Sequence, residues 1–280
     1  MRYNSGSKSL EFLQEHLVGE RLIGNDLSGA DLQQWYDEEA NGFYQIVTDA
    51  HATAGEVEFN PDTVAMNRFH GSYLPKQRFD ECLAIGCANG ADLLALELDI
   101  GHVTAIEPSR EWWSESRDGV SFSYRMPTLD GTIDLADNSV DLVVALGSLH
   151  HVATVEHVVS EMLRVLKPGG AFLVREPMTS MGDFRGPRVG LTRYERGIPF
   201  GLMRQFILNG GGRLVRTLPC SFQGVRLAVL PFGILAHNHM PLVWLDYVAS
   251  KLLMFNSRYW RPRLIDKLAP TSMVYVATKD

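Results

Sequence analysis

Residues 82–96 read CLAIGCANGADLLAL, and the reading of this stretch decides the fold. Residues 82–85 form a short apolar run of the kind a parallel sheet buries on both faces. Residues 91–98 have the composition of a helix packed on that sheet. A tight turn lies between them. Gly86 leaves no side chain between backbone and ligand, and Asn89 and Gly90 open a helix whose free N–H groups point at whatever sits there. Such a turn also joins strand to helix without a ligand, so the surrounding sequence must decide what it holds.

Outward from this turn, strand and helix signals alternate from residue 80 to 175. CLAIG is followed by a helix, HVTAIEP (102–108) by a second, and DLVVALG (141–147) by EHVVSEMLRVL (156–166). AFLVREP (171–177) closes the series. Alternating units with short connections predict a parallel sheet covered by helices on both faces. Residues 7–79 read as helical in three segments, the last opened by Asn60 as a cap before Pro61. Beyond residue 177 come an Arg-rich loop, a helix near 201–208, the strand-like RLVRTLP (213–219), an apolar helical insert and a final strand-like SMVYVAT (272–278).

Composition sets limits on function. The chain has 280 residues, 45% of them hydrophobic and 21% charged, which excludes disorder and coiled coil. Its formal charge of −7 argues against a general affinity for nucleic acid or anionic membrane. Cys82, Cys87 and Cys220 lack the paired spacings of a zinc or iron–sulfur site, and no metal is expected. The amino terminus, MRYNSGSKSL, has no apolar secretion core. LAVLPFGILA (227–236) is too short to span a bilayer and is broken by Pro231 and Gly233. A soluble cytoplasmic protein without stable membrane association is expected. The apolar region reads as buried core, with contact to a lipid surface or an apolar pocket as the alternatives.

Glu107 follows the second strand roughly 20 residues beyond Gly86, where an acid accepts hydrogen bonds from ribose hydroxyls. A dinucleotide and S-adenosylmethionine both fit a glycine turn followed by such an acid. The run Gly86-Cys87-Ala88-Asn89-Gly90-Ala91 lacks the middle glycine that a pyrophosphate requires, which disfavours the dinucleotide.

AIGCANG, VTAIEPS, LADNSVDLVVALGSLHHV and EMLRVLKPGGAFLVREP, in this order and spacing, resemble the class I S-adenosylmethionine-dependent methyltransferases, in particular the branch that modifies small molecules. The resemblance covers residues 80–177. It implies a Rossmann-like, mostly parallel seven-stranded sheet with helices on both faces. It also implies an amino-terminal helical cap over 1–79, an S-adenosyl-L-methionine-binding α/β core over 80–223, a helical insert over 224–270 acting as a substrate lid, and a last core strand over 271–280. By resemblance, Gly86, Cys87, Ala88, Asn89 and Gly90 hold the methionine end of the cofactor. Glu107, with Pro108 beside it, holds the ribose, and Leu146 and Gly147 border the cofactor. The family often has an acid where this chain has Ala84 and a glycine where it has Ala88. Asp130 is the expected partner of the adenine amino group, with Asp134 as its rival and a turn aspartate as the alternative.

Methyl transfer from a sulfonium is an in-line displacement, so the protein must align acceptor, methyl and sulfur, and needs a base only if the acceptor loses a proton. His150 and His151 follow the fourth strand and Glu176 the fifth, which puts these candidate catalytic groups at the ligand-binding edge of the sheet. His150 is expected to face the acceptor while its neighbour packs inside. Arg175, Arg185, Arg188, Arg193 and Arg196 crowd the loop after the fifth strand. Guanidinium forks bind carboxylate or phosphate, so Arg175, Arg185, Arg188 and Arg193 are candidates for binding an anionic small-molecule acceptor of carbohydrate or secondary-metabolite type. The alternative is a loop held by its own ion pairs. Trp35, Glu39 and Phe43 share a helix face, with Tyr36 or Tyr44 as a ring over the sulfonium. His237 and His239 read as a loop feature. Competing functions are a cofactor-binding pseudoenzyme and a nicotinamide-dependent oxidoreductase.

Overall fold

The apolar runs of the central zone become the middle of one sheet. The computed structural model describes residues 15–54, without the side chains of 43–54, and residues 62–75, 78–183, 188 and 190–280. The strands are β1 (Arg78–Ile85), β2 (Asp99–Ile106), β3 (Ser116–Arg117), β4 (Val120–Arg125), β5 (Val140–Leu146), β6 (Leu166–Pro177), β7 (Gly212–Cys220) and β8 (Ser272–Lys279). Their order is β3-β4-β2-β1-β5-β6-β8-β7. β4, β2, β1, β5 and β6 run parallel, and β8 lies antiparallel between β6 and β7. The expected α/β architecture is present with eight strands rather than seven. The additional strand, β3, is a two-residue hairpin partner of β4, closed by Asp118 and Gly119, both at positive φ.

Alternation along the strands divides the core into two layers. Leu83, Val143 and Phe172 face one layer, which is closed by α4 (Val155–Val165) and α5 (Phe200–Asn209) through Met162, Met203 and Ile207. Ala84, Val144 and Leu173 face the other, where α2 (Val64–Gly71) contributes Met66 and Phe69. The longest helix, α1 (Gly29–Ala54), brings Trp35 against Ala153, just ahead of α4.

Two expected helices are much reduced. After β1 only α3 (Ala91–Leu94) forms, because β2 already begins at Asp99 and the return leaves room for about one turn. After β2 there is a 3-10 turn over Arg110–Trp112, and the Trp113 ring stacks on Tyr124. Asn60 and Pro61 lie outside the described residues; the residue ahead of α2 is Thr63, whose hydroxyl donates to Asp92 of α3 rather than capping its own helix. Past β7 come α6 (Gln223–Val229) and α7 (Met240–Leu253).

The β4–β5 connection has no helix, and one side chain on α4 holds it in place. Arg164 donates to the carbonyls of Ile133 and Leu135 at 2.7 and 3.0 Å and to Glu161 at 2.7 Å, while Glu161 accepts the Ile133 N–H at 2.9 Å. Removing the guanidinium strands these acceptors. Arg164→Ala is expected to lower stability by ~2 kcal/mol, the scale of lost charge-assisted hydrogen bonds. Urea unfolding checks this, and a midpoint equal to that of the parent chain would contradict it.

Candidate active site

The carboxyl ends of β1, β2 and β5 are tied together by backbone-scale contacts. Gly86 takes a φ of +58°, and a Cβ there would come within 2.5 Å of the Ser148 Cβ, so no larger residue fits the turn. Its N–H donates to the Ile106 carbonyl at 2.8 Å, and the Ser148 hydroxyl donates to the Ile85 carbonyl at 2.7 Å. Ala88 is also held in the left-handed region, at φ 45°, although it carries a Cβ. Two bonds keep it there. Its N–H donates to Glu107 Oε2 at 2.9 Å, and its carbonyl accepts from the Tyr124 hydroxyl at 2.9 Å.

Glu107 is buried at the end of β2, and its other oxygen accepts the Ser109 N–H at 2.9 Å. Burial raises its pKa, with the two N–H bonds acting in opposition. A carboxylate offers about four acceptor positions, so the two N–H donors and the Ser109 hydroxyl leave capacity for one further hydroxyl. Beside it, Tyr124 stacks between Trp113 and Phe122, each with its ring centroid at 5.7 Å. A cavity of about 180 Å³ is lined by these rings with Ser114 and Glu115.

The other residues expected around the cofactor divide by position. Asn89 accepts the Ala91 N–H and so opens α3, while burial pushes the Cys87 thiol up to about 12 and keeps it unreactive. Gly90, at φ +82°, faces the Phe122 ring closely enough to exclude a Cβ. Pro108 is exposed next to Glu107, and Leu146 and Gly147 end β5. The exposed Asp130 accepts the Thr132 N–H in a turn, and its rival Asp134 pairs with Arg125. Tyr36 bonds to Ala153 and Thr154 at the start of α4. The side chains of Phe43 and Tyr44 lie outside the described residues.

Around the paired histidines the structure builds a second cluster. Glu176, buried at the end of β6, accepts the N–H groups of Ser148 and Leu149 through Oε1 at 2.9 and 2.8 Å, and bonds His150 Nδ1 through Oε2 at 2.8 Å. The other nitrogen of His150 lies 3.5 Å from Glu195 Oε1. Burial alone would lower the His150 pKa, but hydrogen bonds and charge from Glu176 and Glu195 outweigh it and lift the value to about 9. His150 is buried with Glu176 at one ring nitrogen and Glu195 at the other, so neither nitrogen is left open to an acceptor.

His151 keeps 35% of its side chain accessible, and its Nδ1 lies 3.0 Å from Glu39 Oε2 on α1. Glu39 is fixed in turn by the Thr192 hydroxyl at 2.6 Å and the Tyr194 N–H at 2.7 Å. A fully buried Arg196 donates to the carbonyls of Ile23, His150, Val152 and Ala153, with its guanidinium 5.1 Å over the Trp35 ring. Glu195 and Arg196 were visible in sequence only as members of a charged loop. Their roles come from packing against residues more than forty positions away. His150, His151 and Glu195 bring one donor atom each within 4.8 Å of one another, and the hydrogen bonds to Glu176 and Glu39 account for that cluster without an ion.

The described arginines are each engaged within the fold. Arg175 points to the opposite face of β6 from Glu176 and donates to Asn67 of α2. Arg185 lies outside the described residues. Arg188 donates to the carbonyls of Ser180, Met181, Thr192 and Arg193, and Arg193 pairs with Glu38 at 2.9 Å while covering Tyr194. His237 is partly buried near Arg175, and burial lowers its pKa.

Comparison with known proteins accords with this geometry. Residues 83–174 match the family described as a methyltransferase domain. The chain is 25% identical over 268 residues to the sterol 24-C-methyltransferase of Saccharomyces cerevisiae, covering 87% of this chain and 68% of that protein. It is 33% identical over 168 residues to the 27-O-demethylrifamycin SV methyltransferase of Amycolatopsis mediterranei, covering 55% of each, so the match spans about half of that relative. In fold, it resembles the (4+2)-cyclase SpnF, with a TM-score of 0.53 at 18% identity over 86% of this chain and 96% of that one. An S-adenosylmethionine-dependent methyltransferase from Mesorhizobium loti gives a TM-score of 0.50 at 16% identity over 77% and 98%. Sheet order, glycine turn and domain match together define the class I S-adenosylmethionine-dependent methyltransferases. Residues 83–174 are a methyltransferase domain of that kind, and its cofactor is S-adenosylmethionine.

The His150 cluster has a pH signature. Its folded-state pKa of about 9 lies above the ordinary 6.5, so its contribution to stability is complete below pH 6.5 and is lost as pH rises through 9. Between pH 6.5 and 9.5 the parent chain is expected to lose about 3 kcal/mol of stability from this group. His150→Gln should flatten that dependence. Equal slopes in urea unfolding across this range would show that the histidine is not held between the two carboxylates.

Proposed function

We propose that S-adenosylmethionine is bound at the carboxyl edge of β1, β2 and β5, with Glu107 holding the ribose and the turn from Gly86 to Gly90 the methionine end. The observation that carries this reading is the buried Glu107 carboxylate, aimed into a left-handed turn and keeping an unused acceptor position. The residues fit the group: the ribose diol supplies a donor to the acceptor position the carboxylate keeps, and Gly86 and Gly90, packed against Ser148 and Phe122, allow the left-handed turn beside it. The family's acid before the turn is replaced by Ala84, buried in β1, so the methionine end must find its partners elsewhere along the edge. When bound, the cofactor supplies an electrophilic methyl group on a sulfonium.

The chain's own part is alignment and proton removal. His151, with Nδ1 oriented by Glu39, offers Nε2 as the base for a hydroxyl acceptor, while His150 and Glu176 position the turn that carries it. The acceptor is a small molecule recognised mainly through apolar contact. Arg188 and Arg193 are engaged within the fold, which argues against anion binding by these side chains. A sterol and a demethylrifamycin are the molecules named for the two relatives. The insert over 224–270 is a lid on the acceptor side, since its two ends, Cys220 and Ser272, pair beside Pro177 at the edge of β6. The described part of residues 1–79 serves as the cap, through Glu39 and Trp35.

Two variants test separate parts of this reading. Glu107→Gln is expected to weaken S-adenosylmethionine binding by about ten-fold to a hundred-fold in calorimetric titration, the cost of an unmatched ribose hydroxyl. Unchanged affinity would remove Glu107 from the cofactor site. His151→Ala should lower kcat by about a hundred-fold or more while leaving cofactor affinity intact. The acceptor is sought by incubating the enzyme and methyl-labelled cofactor with host extract. Label in the organic phase is expected, and label confined to anionic water-soluble products would contradict the apolar acceptor.

A further inference from the structure

Helix α7 is apolar on two faces. The residues it buries are Val243, Asp246 and Ser250, and the Asp246 carboxylate accepts the N–H groups of Ser221 and Phe222 at 2.9 and 2.6 Å. Its outward face carries Leu245, Val248 and Leu252, the last 70% exposed. In a helix whose far side meets only water, the polar residues occupy that side. Here Met240, Val243 and Tyr247 pack inward while a second apolar face looks outward, and the hydrogen bonds of Asp246 to the β7 end fix which face turns inward.

The apolar surface continues beyond the helix. Phe255, in the turn after α7, is 86% exposed, Leu264 81% and Phe232 77%. These turns are one body with the helix: the Asn256 side chain donates to the carbonyls of Ile265 and Leu268 at 2.7 and 3.1 Å, and α6 packs on both α7 and the turn at Leu230–Phe232. Large exposed apolar side chains concentrated on one packed insert mark an interaction surface, where single residues scattered over a fold would not.

Charge identifies the occupant. Residues 223–270 contain six basic side chains, Arg226, Lys251, Arg258, Arg261, Arg263 and Lys267, against two acids, Asp246 and Asp266. Both acids are buried, Arg258 and Arg263 pair with Asp266 at 3.7 and 3.0 Å, and an excess of four basic side chains remains in a chain that carries −7 as a whole. Exposed phenylalanine and leucine among lysine and arginine, on an element too short to cross a bilayer, is the composition of an interfacial membrane anchor. Among the described residues no helix is long and apolar enough to span. A second copy of this chain would bring the same positive charge to the same face, which opposes self-association.

We propose that the insert over residues 223–270 docks the protein on the surface of a bilayer that contains anionic lipid, with the α7 outer face and the Phe232, Phe255 and Leu264 side chains entering the headgroup layer. This replaces the expectation of no stable membrane association, and it stands whether or not the acceptor is apolar.

The test is co-sedimentation of the full chain with vesicles of phosphatidylcholine alone and of phosphatidylcholine with phosphatidylglycerol, alongside analytical ultracentrifugation. A monomer that partitions at least ten-fold more strongly into the anionic vesicles is expected. The triple variant Phe232→Ser, Phe255→Ser and Leu264→Ser should lose ten-fold or more of that partition at an unchanged melting temperature, since these side chains are exposed. Absence of vesicle binding, or equal binding to both compositions, overturns the proposal. A dimer that the triple variant converts to monomer, with no vesicle binding by either, overturns it in favour of a second copy of this chain.

Discussion

Glu176 sits at the end of β6 with both carboxylate oxygens engaged: one caps the turn after β5 through two N–H groups, and the other holds the His150 imidazole. A buried carboxylate is tolerated only where such partners are present, and three donors converge on this one. The turn it fixes carries Gly147, Ser148 and both histidines. Ser148 in turn fills the space beside Gly86 and bonds the end of β1. The cofactor side and the proposed base side of the cleft are thus registered to each other through one side chain.

A second constraint comes from outside the sheet. Arg196 is entirely buried, and burial pulls its pKa down to about 10, yet four carbonyls and the Trp35 face receive it. Breaking such an arrangement leaves an uncompensated charge or a set of unmet acceptors, each costly in the interior. The arginine therefore clamps the loop after β6 against α1 and the histidine turn. Glu39 completes the clamp from the α1 side by meeting His151, Thr192 and Tyr194 together. Function in this region depends on elements far apart in sequence being held at hydrogen-bond distance.

The helical insert reads differently when set against this interior. Its buried positions hold Asp246 and Asp266, each occupied by backbone N–H groups, and its surface holds the large apolar side chains. The insert leaves the sheet between β7 and β8, where Cys220 pairs with Ser272, at the end proposed to face the acceptor. A protein that sits on a bilayer by this face would present the cleft's rim close to the lipid surface, which accords with an acceptor drawn from an apolar phase.

Periodicity and turn chemistry determined much of the protein before any contact was known. The apolar runs around 82–85, 102–106, 141–146 and 171–175, separated by glycine turns, suffice for a parallel sheet, and Gly86 and Glu107 mark the edge proposed to bind the cofactor because those features are local. Helix lengths after β1 and β2 were not legible, since the room left by the neighbouring strands set them. Nor were the fates of the charged side chains. LHH and the arginine-rich loop look alike as clusters of titratable residues, but tertiary structure buried His150 between Glu176 and Glu195, left His151 accessible on Glu39, and turned Arg175 and Glu176 to opposite faces of one strand. A side chain's charge state and partners depend on burial and on groups distant in sequence, which pattern and propensity do not encode.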